Sequence, residues 1–393
     1  MSRRLQAVFC LFMVSGFGGL IYESVWTHYL KLFLGHSAYA QTLVLVVFIG
    51  GLATGAWAAG RMSSRFANPL RAYAAVELAV GIMALVFHPV FVAATRWGYD
   101  VLLPAACAPE RAMCAAQWAL SALLLAPQSV LIGATFPLVC SAVLRMDPHA
   151  PGNHISMLYF LNSFGAVVGV IASIFVLIPA FGLPGTLRFA GAVNIALALG
   201  AFALARTAPP PFAVAPLEPA RGAEATGPRL LAVLLATALL TGLSSFIYEI
   251  VWIRMLSLVL GASTYSFELM LASFILGLAL GGLWIRNRID LVADPVRLLG
   301  VVQIVMGVAA AATLPFYNAS FDLMAWLLSS VARNGGGFLL FNLGSVAISL
   351  LVMLPATFCA GMTLPLITYR LLRSSSGERA MCAAQWALSA LLL

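Results

Sequence analysis

The stretch SGFGGLIYESVWTHYLKLFLGHSAY at residues 15–39 returns as TGLSSFIYEIVWIRMLSLVLGASTY at residues 241–265, without a gap and at an offset of 226 residues. Tyr22 aligns with Tyr248, Glu23 with Glu249, Trp26 with Trp252, Gly35 with Gly261 and Tyr39 with Tyr265. The register continues through Phe48/Phe274, Gly51/Gly277, Gly55/Gly281, Pro69/Pro295 and Gly81/Gly307. A second block aligns at an offset of 228: Pro127/Pro355, Gly133/Gly361, Thr135/Thr363 and Pro137/Pro365. Apolar sequence of low complexity produces chance matches at Leu and Ala. It does not produce them at Tyr, Glu, Trp, Gly and Pro together, so the chain consists of two copies of one unit.

Composition says what kind of unit this is. Of the 393 residues, 62% are hydrophobic and 9% are charged, against about 25% charged in soluble domains. Mean hydropathy is +1.01. Apolar runs of helical length recur throughout, each able to cross a hydrocarbon core of ~30 Å. The short alternating segments of a β-barrel are absent, so helices are the spanning element that satisfies the backbone. The runs predict helices at about 6–34, 38–60, 70–97, 113–145, 154–180, 182–206, 230–260, 264–286, 296–318 and 338–372. The expected fold is all-α and polytopic, with about ten transmembrane helices. Residues 207–229, TAPPPFAVAPLEPARGAEATGPR, are rich in Pro, Ala and Gly and read as a solvated linker. The start at Met1 leads into an apolar run too long for a signal peptide, and it carries Glu23, so it reads as an uncleaved first helix.

The net charge of +8 is spread over short loops, and Lys31 is the only lysine. This is no nucleic-acid footprint but topology information. Arg3 and Arg4, Arg61, Arg65 and Arg71, Arg145, the linker arginines, Arg286, Arg288 and Arg297, and Arg370, Arg373 and Arg379 all fall on one side if the N-terminus is cytoplasmic. The opposite loops at 35–37 and 261–263 are short and uncharged. Six intervening helices make both copies start on the same side, so the repeats are parallel, as in the two halves of major facilitator transporters. The six cysteines lie mostly in apolar segments with no metal-ligand spacing and read as small core residues. No metal or cofactor is expected.

The repeated signature resembles that of the fused major-facilitator-like/spermidine synthase proteins of bacteria, over about residues 7–380. Their [ST]-G-x-x-x-x-I-Y-E-x-x-W element stands here as SGFGGLIYESVW (15–26) and TGLSSFIYEIVW (241–252). Their G-x-T-x-P-L element stands as GATFPL (133–138) and GMTLPL (361–366), and L-Y-x-x-N-[ST]-x-G-A as LYFLNSFGA (158–166). The resemblance implies a bundle of six-helix halves in a bacterial inner membrane, followed in the family by a soluble aminopropyltransferase-like domain. This chain carries no G-x-G-x-x-G and no counterpart of the family's catalytic Asp motifs, so it is not expected to make spermidine itself.

The domains expected are 1–206, a first repeat of six helices; 207–229, a cytoplasmic linker; 230–380, a second repeat with four helices and the eleventh and twelfth missing; and 381–393, a tail. Residues 378–393, ERAMCAAQWALSALLL, repeat residues 110–125 letter for letter at an offset that breaks the register, so the tail is expected to be non-native.

Glu23 and Glu249 are the first candidates for chemistry. An ionisable residue inside an apolar helix is costly, by about 2.5–3.5 kcal/mol for an acid at the helix centre, and such residues usually serve a function. In the major-facilitator arrangement their helices face each other across a central cavity. There two carboxylates can bind a cation, a diamine or a proton, with Tyr22, Tyr248, Trp26 and Trp252 as cation–π walls. The competing reading pairs each Glu with His28 or Arg254 to lock helix packing. Glu77, whose repeat mate is Gln303, suits a hydrogen bond between helices. Glu268 lies near a helix start, where the dipole favours it. Gly51, Gly55, Gly277 and Gly281 form small-x-x-x-small patterns for close packing or for sliding. Pro127, Pro137, Pro355 and Pro365 bend their helices, as gates or to fit the bundle, with Thr135 and Thr363 placed to satisfy freed carbonyls. The expected function is a transporter-like protein handling a small cationic or polyamine-related solute. The rival is a membrane anchor for a cytoplasmic synthase-like domain. The bilayer, the solute and that domain are the expected partners, with no nucleic acid.

Overall fold

The computed structural model describes residues 2–63, 65–102, 110–206, 227–261, 263–331 and 335–374. Most of the 207–229 segment and the whole 381–393 tail lie outside the described residues. Within them the chain is helical and contains no strand: α1 (Arg3–Leu34), α2 (Ser37–Met62), α3 (Pro69–Trp97), α4 (Glu110–Met146), α5 (Pro151–Ala172), α6 (Ile178–Arg206), α7 (Pro228–Leu260), α8 (Thr264–Arg286), α9 (Pro295–Ser330) and α10 (Gly335–Ser374). Short π-helical turns follow α3 and α5.

Nine stretches of the described residues are long and apolar enough to cross a membrane. One of them, Pro151–Arg206, is 56 residues long, about 84 Å if straight, far beyond a ~30 Å core. It breaks at Gly182 (φ 64°, ψ −179°), a conformation that only glycine adopts freely. α5 and α6 are therefore two crossings, and the helices are the ten read from the sequence.

Local chemistry sets the element ends, and it is repeated. Asn68 caps α3 by accepting from the N–H groups of Leu70 and Arg71, and Asp294 caps α9 by accepting from Val296 and Arg297. Pro69 and Pro295 follow at the first helical position, where no N–H is needed. Arg61 lies 4.6 Å over the ring of Trp57 and Arg288 4.2 Å over that of Trp284, the snorkelling expected where a helix leaves the membrane.

Packing follows the same register. α2 lies along α4, and α8 along α10. A Cβ on Gly55 would meet the Val130 carbonyl, and one on Gly133 the backbone of Leu52. The mates repeat this: Gly281 meets the backbone of Phe358, and Gly361 that of Leu278. Gly51 sits on Ser129 and Gly277 on the equivalent Thr357. The glycines named from the sequence are thus half-internal contact points where two backbones touch.

Pro127 and Pro137 lie inside α4 and Pro355 and Pro365 inside α10 without ending them, and α3 and α9 carry a further pair, Pro89 and Pro315, at the repeat offset. Pro137 and Pro365 free the carbonyls of Gly133 and Gly361, but the threonines go elsewhere. Thr135 donates to the Ile132 carbonyl and Thr363 to that of Cys359. The expected repair of the freed carbonyls is corrected: these hydroxyls bond within the preceding turn, which their side chains reach more easily.

The two sets of helices meet chiefly where α5 runs along α8. One end of this contact is tied down by charge. Both oxygens of Asp290, in the turn between α8 and α9, accept backbone N–H groups at the start of α5, from Gly152 at 3.2 Å and Asn153 at 2.9 Å. Arg286 donates to the Asn153 side chain at 3.2 Å.

The halves are not equally covered. α1 and α3 are walled by α5 and α6. Ile21 and Val25 are fully buried, whereas their mates Ile247 and Val251 are 48% and 44% exposed. Gly81 abuts Gly191 of α6, while its mate Gly307 has nothing within 4 Å among the described residues.

Candidate functional site

The Y-E-x-x-W signature divides its side chains between two directions. Tyr22 and Trp26 are one turn apart and stack at 6.0 Å, with Trp26 edge-on to Phe48 of α2. Tyr248 and Trp252 stack at 5.3 Å, with Trp252 6.4 Å from Phe274 of α8. The pairs are the same packing unit, used once in each half, and contribute about 0.5–1.5 kcal/mol beyond burial per ring contact. Tyr22 and Trp26 are fully buried. They face the interior of their own half rather than a solute path, so the cation–π wall expected of them stands away from the carboxylates. Trp252 is 3% exposed and donates to Thr313. Tyr248 is half-buried against the same core.

The glutamate of the signature is the next residue, turned about 100° around the helix. Glu23 and Glu249 are each 6% exposed. Neither is in an ion pair among the described residues, with His28 and Arg254 included. His28 meets the Ser24 carbonyl through Nδ1, and Arg254 makes no salt bridge. Glu249 lines a cavity of about 150 Å³ with Ser245, Phe246, Tyr159 and Phe274. The aromatic groups that share space with this carboxylate are therefore Tyr159, Phe246 and Phe274. Tyr159 belongs to the L-Y-x-x-N element and rests on Gly282 of α8, across the contact between halves.

A third buried carboxyl touches the residue after Glu23. Glu268 of α8 is fully buried; Ser24 of α1 donates to its Oε1 at 2.7 Å, and its Oε2 has no partner. Ser173 continues the chain to Ser24 at 3.4 Å. Sequence reasoning set Glu268 aside because its repeat mate is Thr42 and a helix start explained it. No spacing in the sequence places it beside Ser24, the residue after Glu23.

A second cavity, of about 110 Å³, opens one turn further along the same helices. On α7 the first cavity takes Gly242 to Glu249 and the second Ile253 to Gly261; on α2 the first takes Ile49 and the second Ser37 to Gln41. Glu249 lines the first cavity, while Glu23 lies one turn before Thr27 and Glu268 next to Phe267, both of which line the second.

Glu77 does something different. Ser15 donates to its Oε1 and Asn194 to its Oε2, each at 2.5 Å, and Tyr22 donates to Asn194 at 2.7 Å. In the second copy Thr241, the mate of Ser15, donates to Gln303, the mate of Glu77, at 3.0 Å, and Gln303 donates to Thr363 at 2.9 Å. This polar site ties the first and third helices of each copy together. Pro127 and Pro137 lie on α4, and Pro355 and Pro365 on α10, which also touches α5 of the first copy; of α10 only Ala360 and Leu364, between its two prolines, line the cavity of Glu249.

No family model matches the chain. Polyamine aminopropyltransferase 2 of Streptomyces coelicolor is 30% identical over 191 residues, 47% of this chain and 32% of that protein, so the chain spans about a third of that relative's length. A solved structure of the proton:xylose symporter XylE bound to 6-bromo-6-deoxy-D-glucose superposes with a TM-score of 0.53 at 15% identity, covering 98% of this chain and 86% of that one. At that identity the likeness shows the fold, which is that of the major facilitator superfamily.

Proposed function

We propose that this chain, built on the major-facilitator fold and akin to the membrane half of the fused major-facilitator-like/spermidine synthase proteins, binds a small cationic solute between its halves and moves it across the membrane. The observation that carries the reading is that Glu23, Glu249 and Glu268, from both copies, are buried without an ion-pair partner among the described residues, and that Glu249 lines a cavity with residues of both copies. Buried carboxyls of like charge are costly beside each other. A cation or a proton seated beside them removes that cost. The relative's printed name points to polyamine chemistry, so amines are the first solutes to test. The membrane is the bacterial inner membrane, with the N-terminus in the cytoplasm, and the units are 1–206 and 230–380 joined by the linker. Uptake of labelled putrescine into proteoliposomes by the intact protein is the test. Glu23→Gln with Glu249→Gln should abolish uptake, and uptake unchanged by that pair of substitutions overturns the proposal.

One observation favours a second reading. The relative extends well beyond the part matched here, and cavities of about 110 and 150 Å³ are small against the ~300–1,000 Å³ of most ligand sites. In this reading the bundle anchors a synthase-like domain. It predicts that a protein which anchors and activates such a domain moves no amine at all.

A further inference from the structure

Among the residues that line the cavity of about 150 Å³, Glu249 alone is charged. It is 6% exposed and accepts no hydrogen bond among the described residues. Neither of its oxygens is a fully enclosed atom without a partner, so the carboxylate keeps access to the open space it lines. Two residues with hydroxyls line the same cavity: Ser245, one turn earlier on α7, and Tyr159 of α5. Both are half-buried, and neither engages its hydroxyl in a hydrogen bond among the described residues. Polar groups held away from water have partners as a rule. Here three unengaged ones line one cavity.

The remaining wall is apolar. Phe246, Phe274 and Tyr159 supply aromatic surface, and Ile49, Leu278 and Leu364 supply aliphatic surface. Aromatic rings favour a desolvated cation. A second cationic group on the same solute would meet no second acid in this cavity, and its desolvation would go uncompensated.

The space belongs to the second copy. In the first copy Ile132 of α4 reaches α1 at Gly19, where an added Cβ would meet the Ile132 Cγ2 at 3.7 Å. The mate of Gly19 is Ser245, at the offset of 226, and the mate of Ile132 is Ala360, at the offset of 228. Alanine is too short to span the same gap, and Ser245 and Ala360 both line the cavity. The exchange of Ile for Ala leaves room, and the exchange of Gly for Ser adds a hydroxyl to its wall.

We infer that this cavity takes a primary alkyl monoamine. Its ammonium sits on the Glu249 carboxylate, within reach of the Ser245 and Tyr159 hydroxyls, and its alkyl chain lies against Ile49, Leu278 and Leu364. The inference rests on the cation-binding reading above and narrows the solute to one charge on an apolar body.

Three four-carbon compounds separate the possibilities: butylamine (one amine), putrescine (two amines) and 1-butanol (no charge). Binding of labelled butylamine to the purified full chain is measured by equilibrium dialysis, with the other two as competitors. Butylamine should bind more tightly than either by at least about tenfold, the worth of one charge-assisted contact. Glu249→Gln should remove its advantage over 1-butanol. Ala360→Ile gives the cavity the side chain of the first copy and should weaken butylamine by about tenfold or more. Ala360→Val should weaken it in part, and it carries the test if the isoleucine variant does not fold. If putrescine competes as well as butylamine and Glu249→Gln weakens both, this inference falls and the cation reading stands. Butylamine binding that ignores Glu249→Gln alone, or ignores both Ala360 variants, overturns the inference in the same way. If neither amine binds, or Glu23→Gln with Glu249→Gln changes nothing, both fall together.

Discussion

At the scale of the residue, the four intramembrane acids differ by what they touch. Glu77 is enclosed by donors, with Ser15 and Asn194 each 2.5 Å away. Glu23 and Glu249 have no such donors among the described residues, and Glu249 lines a cavity. A satisfied buried acid is structural, whereas an unsatisfied one at a cavity is available for a ligand. The distinction yields a prediction. Glu77→Ala strands two buried donors and should cost about 2–4 kcal/mol, read as a lower unfolding midpoint in detergent. Glu77→Gln reproduces the state of Gln303 in the other copy and should cost no more than about 1.5 kcal/mol. Equal stability of the Ala variant and the parent would contradict the network.

At the scale of the element, α2 and α4 touch backbone to backbone at Gly55 and Gly133, and α8 and α10 do so at Gly281 and Gly361. Gly55→Val and Gly281→Val should each lower the yield of folded protein several-fold, because neither neighbour is a side chain that can swing away. Size-exclusion profiles after extraction would show it, and a normal monodisperse peak for either variant would count against the close approach. The contact between Asp290 and the start of α5 is a separate element-scale device. It joins the turn after α8 to the first turn of α5, where a carboxylate is favoured by the free N–H groups and the dipole. Asp290→Ala should loosen that end of the bundle. A cysteine placed at Ile49, on a background without the native cysteines, should then react with a maleimide faster, by about tenfold for each 1.4 kcal/mol of closure removed. An unchanged labelling rate would mean that the contact holds nothing closed.

At the scale of the whole molecule, the copies are alike in contacts and unlike in coverage. Gly81 is pressed against Gly191, and Gly307 is open. Gly81→Leu should therefore destabilise by several kcal/mol (about 2–4 by analogy with overpacked cores), while Gly307→Leu in the same chain should be near neutral. Thermal unfolding of the two variants side by side makes the comparison, and a large loss from Gly307→Leu would show that its face is occupied.

The fold was legible in the sequence to an unusual depth. A gapless repeat at Tyr, Glu, Trp, Gly and Pro, set in apolar runs, leaves one architecture open, because the bilayer allows helices or barrels and the runs exclude barrels. Glu23 and Glu249 were legible for the same reason: a charge in an apolar helix stands out one residue at a time. The direction of each side chain was not. Tyr22 and Trp26 are as near to Glu23 in sequence as a binding wall would be, yet a turn of about 100° sends them into the first half's core. Glu268 and Tyr159 join the site from helices far along the chain, and no spacing announces that. By itself the sequence determined helices, their number, their duplication and the acids they bury, since these depend on hydropathy and periodicity within one segment. Only the tertiary structure decided which acids are left without donors and which of them lines a cavity, since these depend on which faces of distant helices meet.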